Sequence, residues 1–404
     1  MKKIIALLIN ILLLSILSAQ NNIPKEIYDK ARVIVGAEKM NNYVPQLANK
    51  KIGLVVNHTS LVGLSGKEKH LVDTLIKQGV VIDKIFVPEH GFRGKVDAGE
   101  IVGNSIDATT GISIVSLYGS KKKPAKEDLA NIDLMIFDIQ DVGARFYTYI
   151  STMHYVMEAC AENNVPLVIL DRPNPNGFYV DGPILKPEYK SFVGMHPVPV
   201  VHGMTVGEYA KMINGEKWLD GGKQCRLTVI PCDNYFHDDT YEVRIKPSPN
   251  LPNMTAIYLY PSLCFFEGTI VSVGRGTDAP FQIIGYPEYG SKTFEFTPKS
   301  VEGAKNPPYL NTLCYGIDLR EYGKNYFLEN KKLNLNWLLE MYKKATDKTK
   351  FFNNFFDKLA GSDQLRQQII AGKTESEIRQ SWQTDLEQFL VMRQQYLLYK
   401  DFNR

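Results

Sequence analysis

The sequence predicts an α/β fold: a mainly parallel sheet in the first half, followed by a smaller α+β second half that ends in helices. Two observations lead to this prediction. Short, continuous apolar runs recur along the first half, and stretches with apolar residues at helical spacing separate several of them. Continuous apolar runs are typical of strands buried on both faces, and their alternation with helices indicates βαβ units.

The first half contains five predicted strands and two predicted helices. The strands are residues 52–56, 84–87, 112–117, 134–139 and 167–170, and the helices are residues 67–78 and 150–163. A junction rich in Pro, Gly and Asn follows over residues 172–205. The capping box from Thr205 to Glu208 then starts another helix, so Glu208 is interpreted as a cap.

The second half is predicted to be mixed. Its strands are residues 226–230 and 256–260, with residues 271–273 and 281–284 as further candidates. In the tail, one helix begins at Ser362 and ends at Gly372, and a capping box at Thr374 starts a last, long helix. The predicted domains are therefore residues 20–205, which carry the catalytic loops, and residues 206–404, which complete the cleft.

The chain begins as an exported protein would. Two lysines precede an apolar run over residues 4–17, and Ser18 and Ala19 follow it. This pattern predicts a secretory signal peptide over residues 1–19, and hence a periplasmic or secreted protein. No cysteine directly follows the predicted cleavage site, so no lipid anchor is expected. An uncleaved membrane anchor is the alternative.

Composition and absent motifs exclude several classes of protein. The 404 residues carry a net charge of +3, which gives no reason to expect a nucleic-acid partner. The chain lacks the glycine-rich dinucleotide motif, the phosphate-binding loop, the GxSxG nucleophile turn and HExxH. We therefore predict no cofactor and no metal, although a metal held by His58, His90 and Asp141 remains an alternative. The five cysteines are scattered, and pairing of Cys225 with Cys232 is left open.

Polar clusters follow the predicted strands of the first half at the point where each strand ends. Because ligands of open α/β sheets bind at the carboxyl ends of the strands, these side chains are expected to converge. Amides and carboxylates suit sugar hydroxyls, aromatic faces suit sugar rings, and arginine pairs with a ligand carboxylate. The candidates are Asn57, His58, Glu89, His90, Arg93, Tyr118, Asp138, Gln140, Asp141, Arg145, Tyr147, Asp171 and Asn174.

Position alone leaves the role of several candidates open. The position of Glu89 is equally consistent with a catalytic acid and with a loop carboxylate paired with a neighbouring arginine. His90 is a donor to substrate or a structural partner, and Asp138 and Asp141 are site residues or helix caps. Asp171 is a site residue or half of a turn ion pair with the arginine that follows it.

Longer motifs carry a resemblance to a known family. Residues 53–60, 88–94, 138–149, 171–177, 202–208, 248–252, 266–269 and 274–277 resemble the NamZ-type exo-β-N-acetylmuramidases, glycoside hydrolase family 171. The resemblance covers nearly all of the chain after residue 19. It implies a Rossmann-like first domain that binds no dinucleotide, a smaller second domain and a cleft between them. The implied activity is release of terminal β-linked N-acetylmuramic acid from the non-reducing ends of peptidoglycan fragments.

The resemblance also implies roles for individual residues. The catalytic glutamate of the family's Pro-Glu-His-Gly motif corresponds to Glu89, as the general acid. The second catalytic group is left open among Glu267, Asp141, His90 and the substrate's own N-acetyl group. Recognition of the lactyl carboxylate is left open among Arg93, Arg145 and Arg275. Two other functions remain: a non-catalytic muropeptide-binding protein, and a deacetylase or esterase acting on the same sugars.

Overall fold

A seven-stranded sheet organises the first half of the chain in the computed structural model. The structure describes residues 32–89, 91–92 and 105–402. The predicted signal peptide lies outside these residues. The strands, in chain order, are β1 (Lys51–Val56), β2 (Leu61–Val62), β3 (Lys69–His70), β4 (Val81–Val87), β5 (Ser105–Ile106), β6 (Ser113–Ser116), β7 (Leu134–Asp138), β8 (Leu167–Leu170) and β9 (Leu227–Ile230). Strands β2 and β3 form a separate ribbon.

The strand order is β5-β6-β4-β1-β7-β8-β9, and only β5 runs antiparallel to its neighbour. Without β5, the order is that of doubly wound dinucleotide-binding sheets, 3-2-1-4-5-6. The direction of winding reverses between β1 and β7, and ligands of such sheets bind where it reverses. The predicted mainly parallel sheet is therefore confirmed, and the polar clusters after β1, β4 and β7 flank this point.

Helices cover both faces of the sheet. They are α1 (Met40–Tyr43), α2 (Leu71–Lys77), α3 (Lys126–Leu129), α4 (Tyr149–Glu162) and α5 (Val206–Gly215). Side chains of a strand point alternately to opposite faces. Accordingly, Leu54 and Val56 pack in one apolar core with Leu71 of α2, whereas Val55 packs in the other with Met153 of α4.

The second half adds a small antiparallel sheet and a group of helices. The strands are β10 (Ile283–Tyr286), β11 (Glu295–Phe296) and β12 (Cys314–Asp318), with β12 in the centre. The helices are α6 (Met254–Leu263), α7 (Lys324–Asn330), α8 (Asn336–Lys344), α9 (Phe356–Ala360), α10 (Gln364–Ile370), α11 (Glu375–Gln380) and α12 (Gln383–Gln394). Short 3₁₀ turns occupy Gly36–Glu38, Val44–Leu47, Pro187–Tyr189, Asp220–Gly222, Cys264–Gly268 and Lys348–Lys350.

The prediction of a strand over residues 256–260 was wrong, because this segment belongs to helix α6. The Asn253 side chain caps the helix by accepting a hydrogen bond from the Ala256 amide, at 3.0 Å. Every residue from Ala256 to Leu263 is buried. A helix that is apolar on all sides has no periodicity, so its sequence is indistinguishable from that of a buried strand.

Two predicted helices have different bounds in the structure. The last helix is broken into α11 and α12, where the Ser381 hydroxyl donates to the Ile378 carbonyl at 2.6 Å and the Trp382 side chain is buried. Such side-chain hydrogen bonds to the preceding turn bend helices. The helix predicted from residue 67 begins only at Leu71, because His70 caps it by accepting from the Val72 amide.

The sheet extends beyond residue 205, since β9 pairs with β8. The domain boundary at 205/206 stays a prediction. All five cysteines are buried free thiols, so Cys225 and Cys232 are not joined. Within the part of the chain that the structure describes, no helix is long and apolar enough to cross a membrane.

A buried histidine pair should make the fold sensitive to acid. His196 Nε2 lies 2.9 Å from His154 Nδ1, and burial lowers the pKa of His154 to about 4 and that of His196 well below its ordinary value. The unfolded chain takes up these protons near pH 6.5, whereas in the folded chain His154 does so only near pH 4 and the pKa of His196 is likewise lowered. We therefore expect the free energy of unfolding to decrease as the pH falls from 6.5 to 4, as measured by urea denaturation.

The variant His154→Gln provides the control for this prediction. Its free energy of unfolding should decrease less steeply over the same pH range, because one titrating group is missing. Asp141 and Asp171 oppose the effect, since burial raises their pKa values to about 7 and about 6. That contribution is common to both proteins and cancels in their difference. Equal slopes for the two proteins would contradict the assignment.

Candidate active site

A cavity of about 160 Å³ lies at the carboxyl edge of the sheet and is walled by both halves of the chain. Its walls combine carboxylates, an arginine, amides and aromatic rings. The lining residues are Glu89, Phe146, Tyr147, Thr148, Tyr149, Val193, Ser248, Asn250, Leu251, Tyr260, Glu267, Arg275 and Phe281. Of the residues predicted from sequence, Glu89, Tyr147, Glu267 and Arg275 therefore meet at one cavity.

Glu89 reaches the cavity because it lies two residues after the end of β4. Tyr118, two residues after the end of β6, forms a hydrogen bond to the Glu89 side chain. Burial raises the pKa of Tyr118 well above its ordinary value, and the Glu89 charge adds to this effect. The Tyr118 hydroxyl therefore keeps its proton and donates to the Glu89 carboxylate. This contact comes from the parallel pairing of β4 with β6.

Glu267 forms the opposite carboxylate of the cavity, in the 3₁₀ turn after α6. Arg275 Nε donates to Glu267 Oε1 at 2.7 Å, and the guanidinium lies 5.1 Å from the centre of the Phe281 ring. The terminal nitrogens of Arg275 make no hydrogen bond to any residue that the structure describes. Phe281 has a φ of 55°, a conformation that is costly for an aromatic residue and that clusters at functional sites.

Two tyrosines attach the loops of the two halves to each other. The hydroxyls of Tyr147 and Tyr149 both donate to the Pro247 carbonyl, at 2.9 and 3.3 Å. These hydrogen bonds fix the turn that begins at Ser248. Within this turn, the Asn250 amide donates a hydrogen bond to the Ser248 hydroxyl. The cavity wall from the second half is therefore anchored on the segment that joins β7 to α4 in the first.

Asn57 and Asp141 lie behind this wall, out of contact with solvent. Asn57 Oδ1 accepts hydrogen bonds from both the amide and the hydroxyl of Thr59, at 2.9 and 2.6 Å. Asp141 Oδ1 accepts from the Gly143 amide at 2.7 Å, and Oδ2 has no partner among the described residues. Burial raises the pKa of Asp141 to about 7. Both side chains interact electrostatically with Tyr149, so they support the wall and do not line it.

Asp138 forms a buried ion pair away from the cavity. Arg172 donates two hydrogen bonds to the Asp138 carboxylate, from Nε at 2.6 Å and from Nη2 at 2.8 Å. Both side chains are almost fully buried, and the pair joins the ends of β7 and β8. Asp138 therefore has no free acceptor directed at a ligand, and it is left out of the proposed site.

Asp171 is also occupied by protein groups. Its carboxylate accepts from the Thr205 hydroxyl at 2.7 Å, the Gly207 amide at 2.7 Å and the Tyr399 hydroxyl at 2.6 Å. The residue thus joins β8 to the start of α5 and to the tail of the chain. Glu208 closes the capping box with the Thr205 amide at 2.9 Å, as predicted.

Arg145 is one of the two arginines whose side chains are fully buried among the described residues. Its Nη1 donates to the carbonyls of Pro183 and Val198, both at 2.7 Å, and its Nη2 donates to that of Leu359 at 2.8 Å. Burial lowers its pKa to about 10, which leaves it charged at neutral pH. The guanidinium holds three chain segments together and does not face the cavity.

Some of the remaining candidates form hydrogen bonds with backbone carbonyls, and the others lie outside the described residues. Gln140 Nε2 donates to the Asp141 and Pro173 carbonyls, both at 2.8 Å. Asn174 Nδ2 donates to the Met204 carbonyl at 2.9 Å, and His58 Nε2 lies 2.9 Å from the Lys246 carbonyl. His90 and Arg93 lie outside the described residues.

Sequence reasoning missed several cavity residues as site candidates: Phe146, Thr148, Tyr149, Val193, Ser248, Asn250, Leu251, Tyr260 and Phe281. Some of these lie in motifs that carried the family resemblance, which was the available signal. Tyr260 was hidden by the wrong strand assignment. Val193 comes from an irregular segment, where no periodicity indicates the direction of a side chain. Phe281 was assigned to a candidate strand over residues 281–284, but β10 begins only at Ile283.

The site has the composition of a glycoside hydrolase: two carboxylates face one cavity with aromatic and amide walls on a doubly wound sheet. Models of the N-terminal and C-terminal parts of the exo-β-N-acetylmuramidase NamZ match residues 52–255 and 258–399. The chain therefore belongs to the exo-β-N-acetylmuramidase NamZ family, and the resemblance found in the sequence is confirmed.

Individual relatives agree with this family. The peptidoglycan β-N-acetylmuramidase NamZ of Bacillus subtilis strain 168 is 38% identical over 420 aligned positions, which cover 98% of this chain and 100% of the relative. A crystal structure of a DUF1343 family protein of Bacteroides fragilis NCTC 9343 matches with a TM-score of 0.84 and 49% identity, over 92% of this chain and 100% of that one. A second protein of that family and organism matches with a TM-score of 0.77 and 27% identity, over 91% and 99%.

Proposed function

We propose that this protein releases terminal β-linked N-acetylmuramic acid from the non-reducing ends of peptidoglycan fragments, with Glu89 as the general acid. The observation that carries the proposal is the cavity in which Glu89 and Glu267 lie on walls from different halves of the chain. Hydrolysis of a glycosidic bond needs a proton donor for the leaving oxygen and a second group that assists the sugar carbon. The relative from Bacillus subtilis is a peptidoglycan β-N-acetylmuramidase.

Glu89 is our choice for the proton donor because it corresponds to the catalytic glutamate of the family's Pro-Glu-His-Gly motif and lines the cavity. The Tyr118 hydroxyl forms a hydrogen bond to its side chain. Glu267, in contrast, is paired with the Arg275 guanidinium at 2.7 Å. The guanidinium fixes the position of this carboxylate on the cavity wall. Glu267 is therefore suited to stabilising positive charge on the sugar or to activating a nucleophile, and Glu89 to delivering the proton.

Arg275 is our choice for the lactyl carboxylate of muramic acid. It lies on the cavity wall, and its terminal nitrogens have no partner in the described residues. Arg145 is committed to three carbonyls. An arginine that holds Glu267 with Nε and the ligand carboxylate with its terminal nitrogens would connect substrate recognition to the second carboxylate.

We also propose that the protein acts after export, in the periplasm or outside the cell. The support is the pattern at the chain start: lysines, an apolar run over residues 4–17 and a small-residue exit. Peptidoglycan fragments occur on that side of the membrane, so export and the proposed substrate agree.

The proposed function is tested with two chromogenic substrates, the 4-nitrophenyl β-glycosides of N-acetylmuramic acid and of N-acetylglucosamine. We expect the mature protein to hydrolyse the muramide at least about 100-fold better. A site that pairs an arginine with the lactyl carboxylate discriminates strongly against a ligand that lacks this group. Initial rates of nitrophenol release measure both reactions.

Other outcomes identify the rival functions. Equal hydrolysis of both glycosides would contradict recognition of the lactyl group by Arg275. Release of acetate with the glycosidic bond intact would indicate a deacetylase. Tight binding of muropeptides without turnover of any glycoside would indicate a binding protein.

A further inference from the structure

A cluster of one lysine and two aromatic rings adjoins the cavity. The Tyr155 and Phe192 rings are stacked, with centres 6.3 Å apart and planes 16° apart, and Lys122 Nζ lies 4.7 Å from the centre of the Phe192 ring. We call Lys122, Tyr155 and Phe192 the lip. All three side chains are partly exposed.

Two chain connections place the lip beside the cavity. Ser191 and Gly194 exchange main-chain hydrogen bonds, at 2.9 and 3.0 Å, so residues 192 and 193 form the tip of a tight turn. Val193 lines the cavity, and Phe192 beside it meets Lys122. On the other side, the loop that carries Lys122 begins at Tyr118, which is bonded to Glu89.

Lys122 differs from the lysines on either side of it. Lys121 pairs with Asp128 at 2.6 Å, and Lys123 pairs with Glu158 at 2.7 Å and with Glu162 at 2.8 Å. Lys122 forms no ion pair with any residue that the structure describes. Its neighbours anchor the loop, and the Phe192 ring orients its ammonium group by a cation–π contact. The lip therefore presents an oriented positive charge that no described protein carboxylate neutralises.

We propose that the lip binds a carboxylate on the leaving part of the substrate. This inference rests on the proposed function, in which the cavity holds the terminal sugar and the rest of the saccharide extends past the rim. In a peptidoglycan fragment, the next sugar is neutral, and the muramic acid beyond it carries a lactyl carboxylate or a peptide stem. An ammonium group beside two stacked rings suits such an acidic saccharide, with the charge on Lys122 and the sugar faces on the rings.

The test compares two substrates, the 4-nitrophenyl β-muramide and a trisaccharide in which N-acetylglucosamine separates two N-acetylmuramic acids. In Lys122→Gln, we expect the ratio of the trisaccharide KM to the muramide KM to increase about fivefold, the upper range for a partly exposed ion pair. The increase should diminish at high salt, since mobile ions screen an exposed charge.

Lys121→Gln is the matched control, because it removes an equal charge from the same loop where Asp128 already neutralises it. Its KM ratio should equal that of the wild type. An unchanged ratio in Lys122→Gln, or the same increase in both variants, would overturn the lip assignment. If the wild-type protein cleaves neither substrate, the proposed function itself fails. The affinity of the Glu89→Gln protein for the trisaccharide, measured with and without Lys122→Gln, then tests the lip assignment separately.

Discussion

Replacement of Glu89 by Gln is expected to reduce kcat for hydrolysis of the 4-nitrophenyl muramide by about 100- to 10,000-fold, the usual contribution of a general acid. Glutamine has nearly the shape of glutamic acid and still accepts a hydrogen bond from Tyr118. It has no proton to give to the leaving oxygen. Stopped or continuous assays of nitrophenol release across pH 4–9 measure the loss.

The leaving group distinguishes a proton donor from other roles of Glu89. The 2,4-dinitrophenolate group of a 2,4-dinitrophenyl muramide leaves without needing a proton. The Glu89→Gln variant should therefore recover most of its rate on this substrate. The variant Glu267→Gln is the comparison, because a group that assists the sugar carbon is needed whatever the leaving group. Equal losses of the Glu89→Gln variant on both substrates would contradict the assignment of general acid.

Replacement of Arg145 by Met is expected to reduce the free energy of unfolding by roughly 3 kcal/mol or more. Three buried carbonyls, of Pro183, Val198 and Leu359, then lose a charged donor, and each unsatisfied buried group costs about 1–3 kcal/mol. Relief from burying the charge offsets part of this sum. Denaturation by urea at neutral pH measures the change.

The variant Arg275→Met is the matched control for Arg145→Met. Arg275 lies on the cavity wall and its terminal nitrogens hold no carbonyl of the described residues, so its loss should reduce the free energy of unfolding by less than the loss of Arg145. Its effect should appear as a higher KM for the muramide. The reverse result, normal stability with a raised KM in Arg145→Met, would instead make Arg145 the residue that recognises the lactyl carboxylate.

The sequence predicted the sheet because its signals are local. Strands β1, β4, β6, β7 and β8 all lie within one to three residues of their predicted bounds. Each is a short apolar run that ends in a polar cluster, and in a parallel sheet such ends share one edge. Helix α6 was missed for the opposite reason: its burial on all sides removes the periodicity that identifies a helix.

The site was only partly predictable, because arginines and carboxylates look alike in a sequence whether they face a ligand or the protein. Asp138 is the last residue of β7, and Arg145 and Asp171 follow strands as Glu89 does. In the structure, they are committed to Arg172, to three carbonyls and to the start of α5, respectively. These partners lie between 34 and 214 residues away in the chain.

The sequence by itself determined the class of fold, the edge of the sheet where the cavity lies and, through its long motifs, the family. Tertiary structure decided which polar residues face the cavity, and it brought Glu267 and Arg275 to the same cavity as Glu89. The physical reason is the distance along the chain between the residues that interact. Strand formation and capping depend on residues a few positions apart, whereas the environment of a charged side chain depends on whichever distant segment folds against it.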